Sequence, residues 1–121
     1  MLKELFGSIF GGQSTGVKSV SVNDTFTAVK NGGVQFIDVR TEAEFRGGHA
    51  SKALNYPLDK LGGMASKLDS EKPVYVICQS GMRSMRGANL LISSGFKEVY
   101  NVAGGTSAWM SAKLDSERPK K

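Results

Sequence analysis

The chain has few of the residues that staple or metallate a small protein. In 121 residues it holds one cysteine, Cys78, and one histidine, His49. A single cysteine excludes a disulfide within the chain. It also excludes a site built from cysteines alone, and one histidine leaves too few of the usual ligands for zinc, so no metal is expected. Proline is scarce, with 3 residues, which speaks against a low-complexity linker. No apolar run approaches the ~18–20 residues of a membrane span. Aromatic residues are 8% of the chain and form no stripe. The net charge of +5 therefore comes without a stacking surface or nucleic-acid motif, and no nucleic-acid partner is expected. Arg118, Lys120 and Lys121 place part of that charge at the carboxyl end.

Glycine is plentiful, with 15 residues, and most fall where turns belong. The amino-terminal MLKELFGSIFGG has one lysine offset by Glu4, a broken apolar core and no small-residue cleavage pattern. It does not read as a signal peptide, and a cytoplasmic setting is expected. Leu2, Leu5, Phe6, Ile9 and Phe10 fall at helical spacing, and GGQSTG follows as a linker. Residues 1–16 thus read as an amphipathic segment plus linker. Residues 1–10 either pack on the domain or serve docking or dimerisation. Residues 17–114 form the main domain and 115–121 a basic tail.

Within the domain, strand and helix signals alternate. Strands are expected at KSVSV, VQFIDV, ALNYP, PVYVIC and EVYNV. Ser21 with Asp24 and Thr41 with Glu44 have the spacing of capping boxes. Asn31–Gly33, Gly47–Gly48 and Gly95 stop helices. A weak helix is expected over Leu58–Asp69, interrupted by two glycines. Repeated βα units imply an α/β fold, a parallel sheet with helices on both faces. PVYVIC is apolar throughout, as a doubly covered central strand should be. Ligands of such sheets sit beyond the carboxyl ends of the strands, near a switch in strand order. Two strong strands end in candidate site residues, one in Asp38 and Arg40, the other in Cys78.

Cys78 opens the stretch CQSGMRS. Two readings compete. Free cysteine is among the most buried residue types, so Cys78 can be a core residue that ends a strand. It can also be a nucleophile. It precedes a helix amino terminus, whose unpaired N–H groups favour negative charge. Gly81 lets the backbone curl its amides inward, and Arg83 closes the loop with a permanent charge. All three features would lower the thiol pKa.

CQSGMRS resembles the C-x-x-G-x-R-S loop of the rhodanese-like sulfurtransferases. FIDVRTEAEFRGGHASKALNYP is similar to the family's earlier segment, with its D-V-R, E-[FY], G-H-I-x-G-A and N-x-P. GFKEVYNVAGGTSAW is similar to its closing G-F-x-x-V and G-G-x-x-A-W. The three segments occur in family order over roughly residues 17–114. The resemblance implies a three-layer α/β/α fold with a central five-stranded parallel sheet in the order 3-2-4-5-1. It implies that Cys78 takes a sulfane sulfur from thiosulfate or a similar small anionic donor, becomes a persulfide, and passes the sulfur to cyanide or to a small-molecule or protein thiol. No cofactor is implied. Gln79, Ser80, Gly81, Met82, Arg83 and Ser84 would cradle the anion, Arg83 as the main charged contributor. Asp38, Arg40 and Arg86 are candidates for support or for the entrance; for Asp38 and Arg40 a structural pair is the leading reading. The family's histidine, here His49, looks architectural, and Trp109 belongs in the core.

Related folds carry phosphatases and arsenate reductases with a C-x5-R loop. Here the loop is C-x4-R, a smaller ring suited to one sulfur atom, so that alternative ranks below sulfur transfer. A non-catalytic interaction module or sulfur carrier on the same fold is the other alternative. The chain departs from the family pattern at Ala50 and at Lys52, which stands where a residue with easy access to positive φ is usual. With no second cysteine, the acceptor must be external.

Overall fold

The computed structural model describes residues 16–119. The amphipathic segment read at residues 1–10, with its docking role, lies outside the described residues, as do Lys120 and Lys121. The elements are β1 (Val17–Val20), α1 (Val22–Asn31), β2 (Gln35–Asp38), α2 (Glu42–Arg46), β3 (His49–Ala50), β4 (Leu54–Asn55), α3 (Leu58–Met64), β5 (Val74–Ile77), α4 (Met82–Ser93), β6 (Val99–Val102), α5 (Gly105–Ser111) and β7 (Ser116–Glu117). Five strands form one parallel sheet in the order β4-β2-β5-β6-β1. This is the expected order, once the short β3 is set aside.

The local signals act as the residues predict. Ser21 accepts from the Asp24 amide at 3.0 Å and starts α1. Thr41 and Glu44 make a complete reciprocal capping box on α2. Helix α4 ends in a Schellman arrangement: the Gly95 amide donates to Ile92 O and the Phe96 amide to Leu91 O, both at 3.0 Å. Gly95 takes φ +98°, a conformation glycine adopts without a side-chain clash. The weak helix predicted over 58–69 is shorter, running to Met64 with a 3₁₀ turn at Ala65–Lys67.

Strand parity divides the core. Val74, Val76 and Cys78 face one side with Ile37, Val39, Leu61, Ala88 and Leu91, under α3 and α4. Tyr75 and Ile77 face the other with Phe36, Val22, Val102 and Trp109, against α1 and α5. All four residues of β5 are buried, as its uniform apolarity requires. Trp109 packs on Phe36 at 5.5 Å and Phe26 at 6.1 Å between centroids, and its indole N–H donates to Asp115 O at 2.8 Å.

Two features differ from the sequence reading. His49–Ala50 forms a separate antiparallel ribbon with Ser116–Glu117. Residues 115–117, read as the start of a tail, are thus tied into the fold through this pairing and the Trp109 bond. The signal is weak because a two-residue strand has no periodicity to read. No helix among the described residues is long and apolar enough to cross a membrane.

Candidate active site

Strands β2 and β5 are neighbours, with Asp38 in register with Ile77. From β2 the chain moves outward to β4, and from β5 it moves outward to β6 on the other side. The gap between β2 and β5 is therefore the switch point of the sheet. The Asp38–Arg40 and Cys78 endings meet there, as the sequence led one to expect.

Cys78 is 1% exposed. Its sulfur lies where the loop turns into α4. The Gly81 amide donates to Sγ at 3.1 Å, and Sγ lies 3.3 Å from the Ser84 hydroxyl. Helix α4 has no side-chain cap of its own; its N-cap position is Gly81, at φ +111°. The sulfur takes the place of the missing capping acceptor. Burial pushes the thiol pKa up. The hydrogen bond with the Ser84 side chain and those from the amides of Ser84, Gly81 and Ser80 outweigh it, and the thiol ends below its ordinary value.

The Ser84 hydroxyl donates onward to Asn101 Oδ1 at 2.5 Å. The Asn101 amide nitrogen donates to Gly81 O at 3.2 Å, which fixes the orientation of the side chain. Asn101 thereby ties both Ser84 and the turn glycine to β6.

The carbonyl side of the loop caps a second helix. Cys78 O accepts from the Thr106 amide at 2.8 Å and from its hydroxyl at 3.0 Å, and Gln79 O accepts from the Ser107 amide at 3.1 Å. Helix α5 likewise has no side-chain cap. The approach is close: a Cβ on Gly105 would lie 2.4 Å from Cys78 O and 2.6 Å from Gln79 O. Gly105 is fixed by this contact and by its φ of +57°.

Arg40 pairs with Asp38 as the leading reading had it, whereas the partner of Arg83 was not foreseen. Arg83, read as the permanent charge closing the loop, donates from Nη1 and Nη2 to the two Glu44 carboxylate oxygens at 2.8 and 3.0 Å. Its charge is matched first by this carboxylate, and it acts on the Cys78 sulfur only as a lesser, longer-range charge. The hydrogen bonds from Arg83, opposed by partial burial and helped by Thr41, hold Glu44 at a pKa of about 2. Arg40 is 4% exposed and donates from Nε to both Asp38 oxygens at 3.1 Å and from Nη2 to Oδ2 at 2.9 Å. It reaches Gly48 O at 2.8 Å and Gln79 Oε1 at 3.3 Å. Asp38 and Arg40 are a structural pair that braces the loop through Gln79. Gln79 also donates to Ser107 Oγ at 2.8 Å. Ser80, Met82 and Arg86 are exposed. Arg86 has no hydrogen-bond or ion-pair partner among the described residues and sits one turn past Arg83. His49 is buried, stacked on Phe45 at 3.7 Å, with Nδ1 2.9 Å from its neighbour's carbonyl, Ala50 O.

Glu44, Asn101, Thr106 and Ser107 were not singled out as site residues from the sequence. Glu44 was visible as a cap and as the acidic member of the E-[FY] pair, not as a partner of the loop. The G-G-T-S run at 104–107 was visible only as part of a resemblance. A groove lined by Val39, Thr41, Pro57, Leu58, Asp59 and Arg83 runs beside the loop. Another, lined by Phe26, Val29, Lys52 and Trp109 among others, lies away from the cysteine.

Comparison with known proteins agrees with this geometry. YqhL of Bacillus subtilis is 44% identical over 75 residues, covering 62% of this chain and 60% of that protein. The thiosulfate sulfurtransferase GlpE of Shewanella oneidensis is 34% identical over 95 residues, 78% of this chain and 94% of that one. The crystal structure of a rhodanese-related protein from Thermoplasma volcanium superposes with a TM-score of 0.76 at 25% identity, covering 84% of this chain and 99% of its own. The family profile described as Rhodanese-like domain matches residues 22–112. The chain belongs to the rhodanese-like domain family.

Proposed function

We infer that the protein is a sulfurtransferase that works through a persulfide on Cys78. The observation that carries this reading is the position of the Cys78 sulfur as capping acceptor of α4, held by the Gly81 amide and Ser84. Amide donors already aimed at one sulfur stabilise a thiolate before reaction, and a persulfide anion after it, in the manner of an oxyanion hole. The depth of the cysteine also favours sulfur transfer. A nearly covered nucleophile reaches a terminal sulfur more easily than the shielded central atom of a phosphate ester.

In the first half-reaction the Cys78 thiolate bonds to the outer sulfur of thiosulfate. The sulfur–sulfur bond of the donor breaks, its electron pair leaves with sulfite, and Cys78 carries a persulfide. In the second, cyanide or an external thiolate bonds to the outer sulfur and the Cys78 thiolate is released. Each step exchanges one bond to sulfur, and together they follow ping-pong logic.

Intact mass tests the reading. Thiosulfate should add one sulfur atom to the full chain, and cyanide should remove it. The Cys78→Ser variant should gain no sulfur and lose at least about a thousandfold of its thiosulfate:cyanide turnover, the scale expected when a covalent nucleophile is removed. Undiminished turnover in that variant would sink the proposal.

A further inference from the structure

We propose that the site selects singly charged sulfur donors over doubly charged ones, and that Glu44 sets this selectivity through Arg83. The inference rests on the sulfur-transfer reading above and names the class of donor.

It comes from following each cation near the loop to its partner. Arg40 is buried and its charge is matched by Asp38. Both terminal nitrogens of Arg83 lie on the carboxylate of Glu44. Glu44 is itself held by the Thr41 amide at 3.0 Å and the Thr41 hydroxyl at 3.1 Å, which anchors it at the start of α2. The groove that Arg83 lines carries another carboxylate, Asp59. The remaining loop side chains, Gln79, Ser80 and Met82, are uncharged, and Met82 is 77% exposed. Arg86 is the neighbouring cation without a partner among the described residues, and it stands on an exposed helix face where water and salt screen it.

The attacking group is a thiolate. A dianionic donor therefore meets a like charge, and the loop arginine that could offset the repulsion has both terminal nitrogens on Glu44. A monoanion meets about half of that repulsion. The amides at the sulfur stabilise one negative charge at Cys78, and they do so for either donor.

Thiosulfate and methanethiosulfonate make a matched pair of probes. Both present the same outer sulfur, and a methyl group in the second replaces one anionic oxygen in the first. The reaction balances in the same way for both. Cys78 Sγ bonds to the outer sulfur, the donor's S–S bond breaks, and its electron pair leaves with sulfite or with methanesulfinate. The charge sum is unchanged in each case, and no oxidant or reductant takes part.

The experiment compares kcat/KM for the two donors with cyanide as acceptor. Full-chain wild type and Glu44→Gln are used, and each rate is divided by that donor's rate with free cysteine. Glutamine keeps the capping role at this position while removing the charge. Wild type should favour methanethiosulfonate by about tenfold, the size of one charge-assisted hydrogen bond withheld from the dianion. Glu44→Gln should lower KM for thiosulfate and bring the ratio to within about twofold of unity, with kcat little changed. A partial loss of folded protein lowers both rates by the same factor and cancels in the ratio, so it cannot by itself produce the shift. A wild-type ratio at or below unity overturns the inference, as does a ratio unmoved in Glu44→Gln. If both donors load one sulfur onto Cys78 and only the ratio is flat, sulfur transfer stands and the selectivity falls. If neither donor loads Cys78, both fall.

Discussion

Cys78 is activated chiefly by hydrogen bonds with its neighbours in the loop. Burial alone would raise its pKa, and Ser84 contributes the largest opposing effect, with the amides of Ser84, Gly81 and Ser80 adding to it. Removing the Ser84 hydroxyl should therefore move the thiol pKa upward. The Ser84→Ala variant should show a higher midpoint in the pH dependence of iodoacetamide alkylation, and slower alkylation at pH 7. An unchanged midpoint would mean that the amides alone do the work. The same shift bears on stability. A thiol whose folded pKa is depressed adds stability above its ordinary pKa, and that contribution disappears as pH falls through the folded value. Ser84→Ala should shrink this alkaline gain. The hydrogen bond from Ser84 to Asn101 shows why serine suits the position: its hydroxyl is held between the sulfur and a fixed amide.

At the scale of elements, the loop from Cys78 to Gly81 joins two helices that lack side-chain caps. The sulfur serves α4 and the carbonyls of Cys78 and Gln79 serve α5, so the two helix ends position the nucleophile between them. Gly105 is where this arrangement is least tolerant. Gly105→Ala should destabilise the protein by about 2–4 kcal/mol, because both the contact with the loop carbonyls and the positive φ oppose a side chain. It should also reduce sulfur loading of Cys78, since the carbonyls that must move belong to the loop. Gly95→Ala is the control. Gly95 has φ +98° but nothing within 4 Å of a new Cβ, so its loss should be about 1–2 kcal/mol with loading intact. Urea unfolding and intact mass measure the two effects separately. Similar losses and similar loading in both variants would contradict the capping account.

At the scale of the molecule, the main sheet and the small β3–β7 ribbon meet at the connection between Ala50 and Leu54. The Ala53 amide closes a turn onto Ala50 O at 3.2 Å, and Lys52, its third residue, has φ +75°. That position of a turn favours glycine. Lys52→Gly should relieve the left-handed strain while adding some entropy to the unfolded chain, for a net gain of about 0.5–1 kcal/mol in urea unfolding. A loss of stability would show that the lysine side chain makes a contact worth more than the strain. Here the departure from the family pattern was legible because a positive φ is a demand of the backbone on one residue.

The elements were legible for a similar reason. Capping at Ser21 and Thr41, the Gly95 stop and the uniform apolarity of β5 depend on residues within a few positions of one another. Strand parity even decides which face Cys78 shares with Val74 and Val76. The Asp38–Arg40 pair was legible as two charges at a strand end. The charge state of the loop was not. Arg83 finds Glu44 39 residues away, and only the tertiary fold, which brings the first turns of α2 and α4 within reach of each other, joins them. The same holds for Asn101 beneath Ser84 and for Gly105 against Cys78 O. The sequence by itself determined the parallel sheet, its helices and the edge at which the single thiol stands, because these follow from local periodicity and chain direction. Only the tertiary structure decided which arginine keeps an open charge and which donors face the sulfur, because electrostatics and hydrogen bonding depend on distance in space and not along the chain.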